Sequence, residues 1–235
     1  MSGQIILIPI TISDGTQSDV LPSQIEAAIK TCDLFLVENI RTARRFISSL
    51  KLGLIIENLE FEILDKNTSF EECFDLIKPA LEGKIIGIMS ESGCPGIADP
   101  GSRLVHMAHQ LRIKVKPLVG PSSILLALMA SGFNGQSFAF HGYLPLDKKE
   151  KEKALKFLEK ESAEKDRTQI FMDTPYRNEQ LLQDIKKHLK PDTFLCIAKD
   201  ITGSEEFIQS KPIGKWTINE VKLKKIPVMF LIYRN

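Results

Sequence analysis

The sequence predicts an α/β chain in two domains, a mostly parallel sheet followed by a mixed sheet. Three observations predict it. Over residues 1–118, short apolar runs alternate with stretches of helical spacing, the pattern of a parallel sheet covered on both faces. Over residues 119–235, three strand candidates crowd the end with a single helix-like segment among them, which predicts antiparallel pairing. The length of 235 residues holds two domains of roughly 100 residues, each with its own core. The boundary is therefore set near residue 118.

The elements follow in order. "QIILIPI" (4–10) reads as a strand, and "LPSQIEAAIKTC" (21–32) as a helix from the spacing of Ile25, Ala28 and Ile29. "DLFLVEN" (33–39) is the next strand and "IRTARRFISSL" (40–50) the next helix, while "IIENLEFEI" (55–63) fits either state. "SFEECFDLIKPAL" (69–81) is helical, with Ser69 as N-cap and Glu72 at the capping-box position. "KIIGIMS" (84–90), helix 102–111, strand 113–119 and helix 122–132 complete the first rhythm. Then come an extended run at 137–145, the charged helix "KKEKEKALKFLEKESAEK" (148–165), strand 167–175 and helix 176–190. The last strands are 193–201, 205–214 and 226–234, with "TINEVKLKK" (217–225) read as helix between them.

Composition sets limits on function. The chain is 43% hydrophobic and 26% charged, with 31 basic against 30 acidic residues. A formal charge of +1 gives no long-range field toward DNA or a membrane, so neither is expected as a partner. Cys32, Cys73, Cys94 and Cys196 form no CxxC pair and no zinc-ligand pattern, so reduced thiols and no metal site are expected. No basic segment leads a long apolar core at the N-terminus, and no apolar run approaches the ~18 residues of a spanning helix. A soluble, cytoplasmic protein is expected.

One stretch asks for a ligand. "SESGCPGIADPG" (90–101) places three glycines and two prolines directly after the apolar run "IIGIM". In open parallel sheets, ligands collect beyond the carboxyl ends of strands. "VGPSS" (119–123) sits at the next such end, and both loops lead into helices whose free N–H groups attract polar ligands. GxGxxG, GxxxxGK[ST] and GxSxG are all absent, which argues against a dinucleotide fold, a P-loop and a serine hydrolase. The residues alone give a preformed cradle for a small polar ligand.

At these residues the chain resembles a known family. "SESGCPGIADPGSRLV" is similar to the "SDAGTPGISDPGYRLV" block of tetrapyrrole-methylase-like (class III) methyltransferases. The resemblance is to the branch that methylates a cytidine ribose 2′-oxygen in small-subunit ribosomal RNA. "VKPLVGPSSILLALMASG", "FAFHGYLP", "IFMDTPYR", "LFLVENIRTARRFI" and "CIAKDIT" resemble further blocks in the family's order, covering about residues 4–214. The resemblance implies two α/β domains with S-adenosylmethionine in the cleft between them, a homodimer, and ribosomal RNA as partner. It implies cofactor contacts at Pro9, Glu91, Gly93, Cys94, Pro95, Ile97, Ser122, Ser123 and Ala127, and in the second domain at Phe171, Met172, Ala198 and Pro227. Departures are "ITISD" (10–14) for "TPIGN", Glu91 for aspartate, Cys94 for threonine and "AKDITGS" for "ARELTK". Two alternatives stay open: a small-molecule acceptor such as a tetrapyrrole, and a non-catalytic RNA-binding or assembly factor.

Transfer to a ribose hydroxyl needs an in-line acceptor and a base within hydrogen-bond reach. Glu38 and Asp173 each end a predicted strand on the ligand side, and Arg41 follows Glu38 closely. The competing readings are a structural Glu38–Arg41 pair and an Asp173 helix cap. Tyr176 and Arg177 are the candidates for gripping a base or phosphate. Asp99 reads as a cap ahead of the next helix, His106 and His109 as no metal site, and His141 as a satisfied histidine. The 148–165 helix reads as a solvated face. Its functional version would bring Lys148, Lys149, Lys151 and Lys153 to RNA phosphates.

Overall fold

A computed structural model describes residues 3–218 and 220–235 and divides the chain into two units, Met1–Ser122 and Ser123–Asn235. The first unit runs β1 (Gln4–Ile8), α1 (Gln17–Val20), α2 (Gln24–Ile29), β2 (Leu34–Val37), α3 (Ile40–Ser49), β3 (Phe61–Ile63), α4 (Phe70–Leu81), β4 (Ile85–Met89), α5 (Gly101–Gln110) and β5 (Lys114–Pro117). Its sheet has the order β3-β2-β4-β1-β5, parallel throughout. The ambiguous run 55–63 splits into a 3-10 turn (Ile56–Asn58) and the edge strand β3.

The apolar residues of each strand alternate between two cores, as period-two patterning requires. Ile6, Ile8, Phe35 and Val37 pack against α2 and α3. Ile5, Leu34, Leu36, Ile86 and Ile88 pack against α4 and α5. Gly87 explains the break in "IIGIM": a Cβ there would lie 2.9 Å from Ile8 Cδ1 and 3.1 Å from Phe35 Cδ1. At the start of α4, Ser69 Oγ accepts from Glu72 N at 3.2 Å and Glu72 Oε2 accepts from Ser69 N at 2.7 Å, the reciprocal cap expected from the spacing.

The second unit runs α6 (Ser123–Ser131), β6 (Phe138–Tyr143), α7 (Lys148–Lys165), β7 (Thr168–Met172), α8 (Asn178–His188), β8 (Phe194–Lys199), β9 (Phe207–Pro212) and β10 (Val228–Tyr233). The sheet order is β6-β7-β10-β8-β9. Only the β6–β7 pairing is parallel, so the three late strands are antiparallel as expected. Residues of α7 and α8 cover one face with Phe171, Ile197 and Phe230, and α6 covers the other with Ala198, Met229 and Leu231.

The helix expected at 217–225 is not there. Among the described residues of that segment, turns and irregular chain replace it, and Asn219 lies outside them. Val221 and Leu223 are buried while Lys222 and Lys224 are exposed, an alternation of two rather than 3.6. Lys225, with φ of 64°, then donates its N–H to Pro175 O at 2.9 Å and leads the chain into β10.

Candidate functional site

In the first unit the chain leaves β1 toward β2 and leaves β4 toward β5, in opposite directions across the sheet. The carboxyl ends of the neighbouring strands β1 and β4 therefore flank a topological switch point, where α/β sheets bind ligands. Three loops meet there. Ile10 N donates to Gly93 O at 2.9 Å, tying the loop after β1 to the loop after β4. The Cys94 thiol donates to Pro121 O at 3.3 Å, tying in the loop after β5. At Gly93, φ is 69° and a Cβ would stand 3.2 Å from Pro121 O. At Gly120, a Cβ would stand 2.1 Å from the ring Cβ of Pro9. Backbone from three loops thus packs closer than side chains allow.

The long loop is pinned internally as well. Asp99 Oδ1 accepts the N–H groups of Gly96 at 3.1 Å and Gly101 at 2.9 Å, so it ties the loop to the first turn of α5. Ser90 Oγ donates to Ser92 O and Gly93 O. Pro9, Gly93 and Pro95 are buried in this arrangement, Cys94 and Ser122 are half-buried, and Glu91 faces solvent. Ile97 and Val119, at 55% and 71% exposure, present apolar surface from the loop tips. Val119 carries no signal in the sequence beyond its place beside a glycine and a proline.

Beside this cradle stands a cluster of carboxyls. Glu38, at the end of β2, stands close to the Asp99 carboxyl and to the backbone N–H and charge of Glu91. Burial, then the Asp99 carboxyl, then the charge of Glu91 push Glu38 up to about 7 from a usual 4.5, with the Glu91 N–H partly opposing them. Arg41 does not neutralise it: no Glu38–Arg41 ion pair within 4.0 Å occurs among the described residues. Asn39 is the cap of α3, its Oδ1 accepting from Arg41 N at 3.0 Å, and Arg41 extends into solvent. A hollow of about 820 Å³ opens from Glu91 along Thr11, Ile12 and the Arg44–Arg45 face of α3. The altered "ITISD" segment is one wall of it.

The second unit holds the other sequence-predicted residues. Met172 and Ala198 flank Met229 in one row across β7, β10 and β8, with Ala127 of α6 in the same core. Ala127, Phe171 and Ala198 are fully buried, and Phe171 turns to the opposite face, stacked on Phe230 with ring centroids 6.2 Å apart. Ser123 opens α6, and Pro227 is exposed just ahead of β10. Asp173 is buried: its Oδ1 accepts from Thr174 N at 2.7 Å and from Arg177 Nε at 2.7 Å. The carboxylate thus fixes the Arg177 guanidinium at the entry to α8, beside the exposed Tyr176. His141 Nε2 shares a 2.6 Å hydrogen bond with Gln169 Oε1. No cluster that could hold a metal ion, and no helix long and apolar enough to cross a membrane, occurs among the described residues.

The family model for tetrapyrrole (corrin/porphyrin) methylases matches residues 21–216, a span that includes most of both sheets and all but the first of these loops. The chain belongs to the tetrapyrrole methylase family. This tetrapyrrole methylase is 30% identical over 235 residues to the ribosomal RNA small subunit methyltransferase I of Vibrio cholerae, covering 99% of this chain and 78% of that one. Among solved structures it is similar to the methyltransferase CobJ, with a TM-score of 0.66 at 17% identity over 99% of this chain and 95% of that one. Diphthine synthase matches with a TM-score of 0.69 at 13% identity, over 99% and 90% of the two chains. The structural likenesses establish the fold, and the family establishes a methyltransferase. Neighbours with such different names show that this tetrapyrrole methylase fold does not itself select an acceptor.

Proposed function

We propose that this protein transfers a methyl group from S-adenosylmethionine to a ribose 2′-hydroxyl of small-subunit ribosomal RNA. The observation that carries the reading is the convergence of the loops after β1, β4 and β5 beside Glu38. The residues fit the cofactor. Gly93 and Gly120 let the three loops pack against one another and fix the cradle, Ile97 and Val119 offer apolar surface to an adenine, and Glu91 offers a carboxylate to ribose hydroxyls. The cofactor supplies an electrophilic methyl on a sulfonium.

The chain's own residues do the rest. Glu38 takes the proton that leaves the acceptor hydroxyl as the oxygen–carbon bond forms and the carbon–sulfur bond breaks. A carboxyl held at about 7 suits that task near neutral pH. The hollow along α3 is placed to hold the acceptor nucleotide, with Arg44 and Arg45 near its phosphates. Asp173 acts as a positioning residue for Arg177. The all-round apolar helix α6 exposes Leu125 and Met129, a surface suited to a second copy in a homodimer. A cytoplasmic location accords with the reading.

The test is a labelled-methyl assay on small-subunit ribosomal RNA, with cofactor binding followed separately by calorimetry. Label is expected in RNA at a single 2′-oxygen, and micromolar cofactor affinity is expected without RNA. Label in a porphyrinoid but not in RNA would overturn the acceptor. RNA binding without cofactor affinity would overturn the enzyme.

A further inference from the structure

Asp147 caps the charged helix α7, its Oδ1 accepting from Lys149 N at 2.9 Å and Glu150 N at 3.0 Å, as the helix dipole favours. Behind that cap the first turn carries three lysines, Lys148, Lys149 and Lys151, beside Glu150. The lysines sit in a groove. A cavity of about 330 Å³ runs between α7 and α8, lined by Lys148, Lys149 and Lys151 from one side and Lys187 from the other.

The acids in this groove are already engaged. Asp184 lies 3.3 Å from Lys151 Nζ and accepts from Gln180 Nε2 at 2.9 Å. Glu152 accepts from Lys156 Nζ at 2.6 Å and lies 3.5 Å from His188 Nδ1. Lys151, its side chain 6% exposed, neutralises Asp184 below and lies 4.0 Å from Asp173. Lys148, Lys149 and Lys187 remain, exposed and without an ion-pair partner among the described residues. Lys153 stands apart: it is exposed and bonded to Glu150 at 2.8 Å. The set differs from the one the helix alone predicts. Lys151 and Lys153 drop out as phosphate ligands, and Lys187 joins from α8.

We propose that the groove between α7 and α8 is a docking site for the phosphate backbone of the RNA substrate, gripped by Lys148, Lys149 and Lys187. The proposal rests on the RNA methyltransferase reading. Three exposed lysines from two helices line one groove, Lys187 also feeling the charge of Glu152, and such a spread of positive charge suits a polyanion better than a single small anion. Sequence-independent contacts of this kind supply affinity and leave the acceptor site to choose the nucleotide.

The experiment compares wild type with K148A/K149A/K187A, K148R/K149R/K187R and K153A. Binding and methylation of small-subunit ribosomal RNA are measured from 50 to about 200 mM salt, the range over which phosphate contacts are read out. For the triple alanine variant, KM for RNA is expected to rise about 10–100-fold, and the slope of log affinity against log salt to flatten by about 2–3. Cofactor affinity and kcat stay at wild-type values. The arginine variant and K153A behave as wild type. Unchanged RNA affinity and slope in the triple alanine variant, or an equal loss in K153A, would overturn the groove while leaving the enzyme reading intact. A wild type that binds cofactor but labels no RNA overturns the reading and the groove with it. Binding to anionic vesicles in place of RNA overturns the groove's assignment to nucleic acid.

Discussion

Replacing Glu38 by glutamine is expected to lower kcat/KM by about 10²–10⁴-fold while the folded protein becomes more stable above neutral pH. The two effects have one cause. Glu38 is packed against Asp99 and Glu91, and its carboxyl is held at about 7 instead of 4.5. Between those values the folded state keeps a proton that the unfolded chain has already lost. Stability therefore falls as pH rises through that window and stays lowered above it. Glutamine removes the charge, so the variant escapes the loss. Because the group is only half-buried, the gain is on the order of 1 kcal/mol after solvent screening, or about 2–4 °C in melting temperature at pH 8. For the wild type, kcat/KM should rise tenfold per pH unit below 7 and level off above it. Asp99→Asn keeps an oxygen for Gly96 N and Gly101 N but removes a like charge, so its profile should shift to lower pH. A glutamine variant of full activity, or a wild-type profile flat from pH 5 to about 8, would remove Glu38 from the chemistry.

Most of the architecture could be read from spacing alone because the strands and helices bury regular faces. The capping box at Ser69–Glu72 and the continuous apolar runs at 5–8 and 34–37 are local signals, and the structure follows them. The segment 217–225 misleads because Lys222 and Lys224, good helix formers, alternate with the buried Val221 and Leu223 and mask a period of two. The cradle was legible as a need for glycine, since Gly93 and Gly120 serve a close approach that only backbone can make. What spacing could not show is which distant groups meet. Glu38 and Asp99 are far apart in sequence, and only the β2–β4 pairing brings their ends together. Neither Arg44–Arg45 nor Lys187 carries a motif. Each matters through the hollow it lines.

Gly120→Val tests the cradle where it is least tolerant. The new Cβ would fall 2.1 Å from Pro9 Cβ and 2.5 Å from its Cγ. Both atoms belong to a ring fixed to the backbone, so no side-chain rotation relieves the clash, and the loop after β5 must move. The shift pulls Pro121 away from the Cys94 thiol and from Gly93. Overpacking of this kind costs about 1–3 kcal/mol, a fall of roughly 2–12 °C in melting temperature that leaves the cores intact. Cofactor affinity should fall much further, by about 100-fold, because a ligand held by preorganised backbone loses several contacts at once. Cys94→Thr supplies the comparison. A hydroxyl can donate to Pro121 O as the thiol does at 3.3 Å, so this variant should bind the cofactor within a few-fold of wild type. If Gly120→Val folds and still binds S-adenosylmethionine at wild-type strength, the ligand does not rest on these loops. If Cys94→Thr alone abolishes binding, the site depends on the thiol itself and not on the tie it makes.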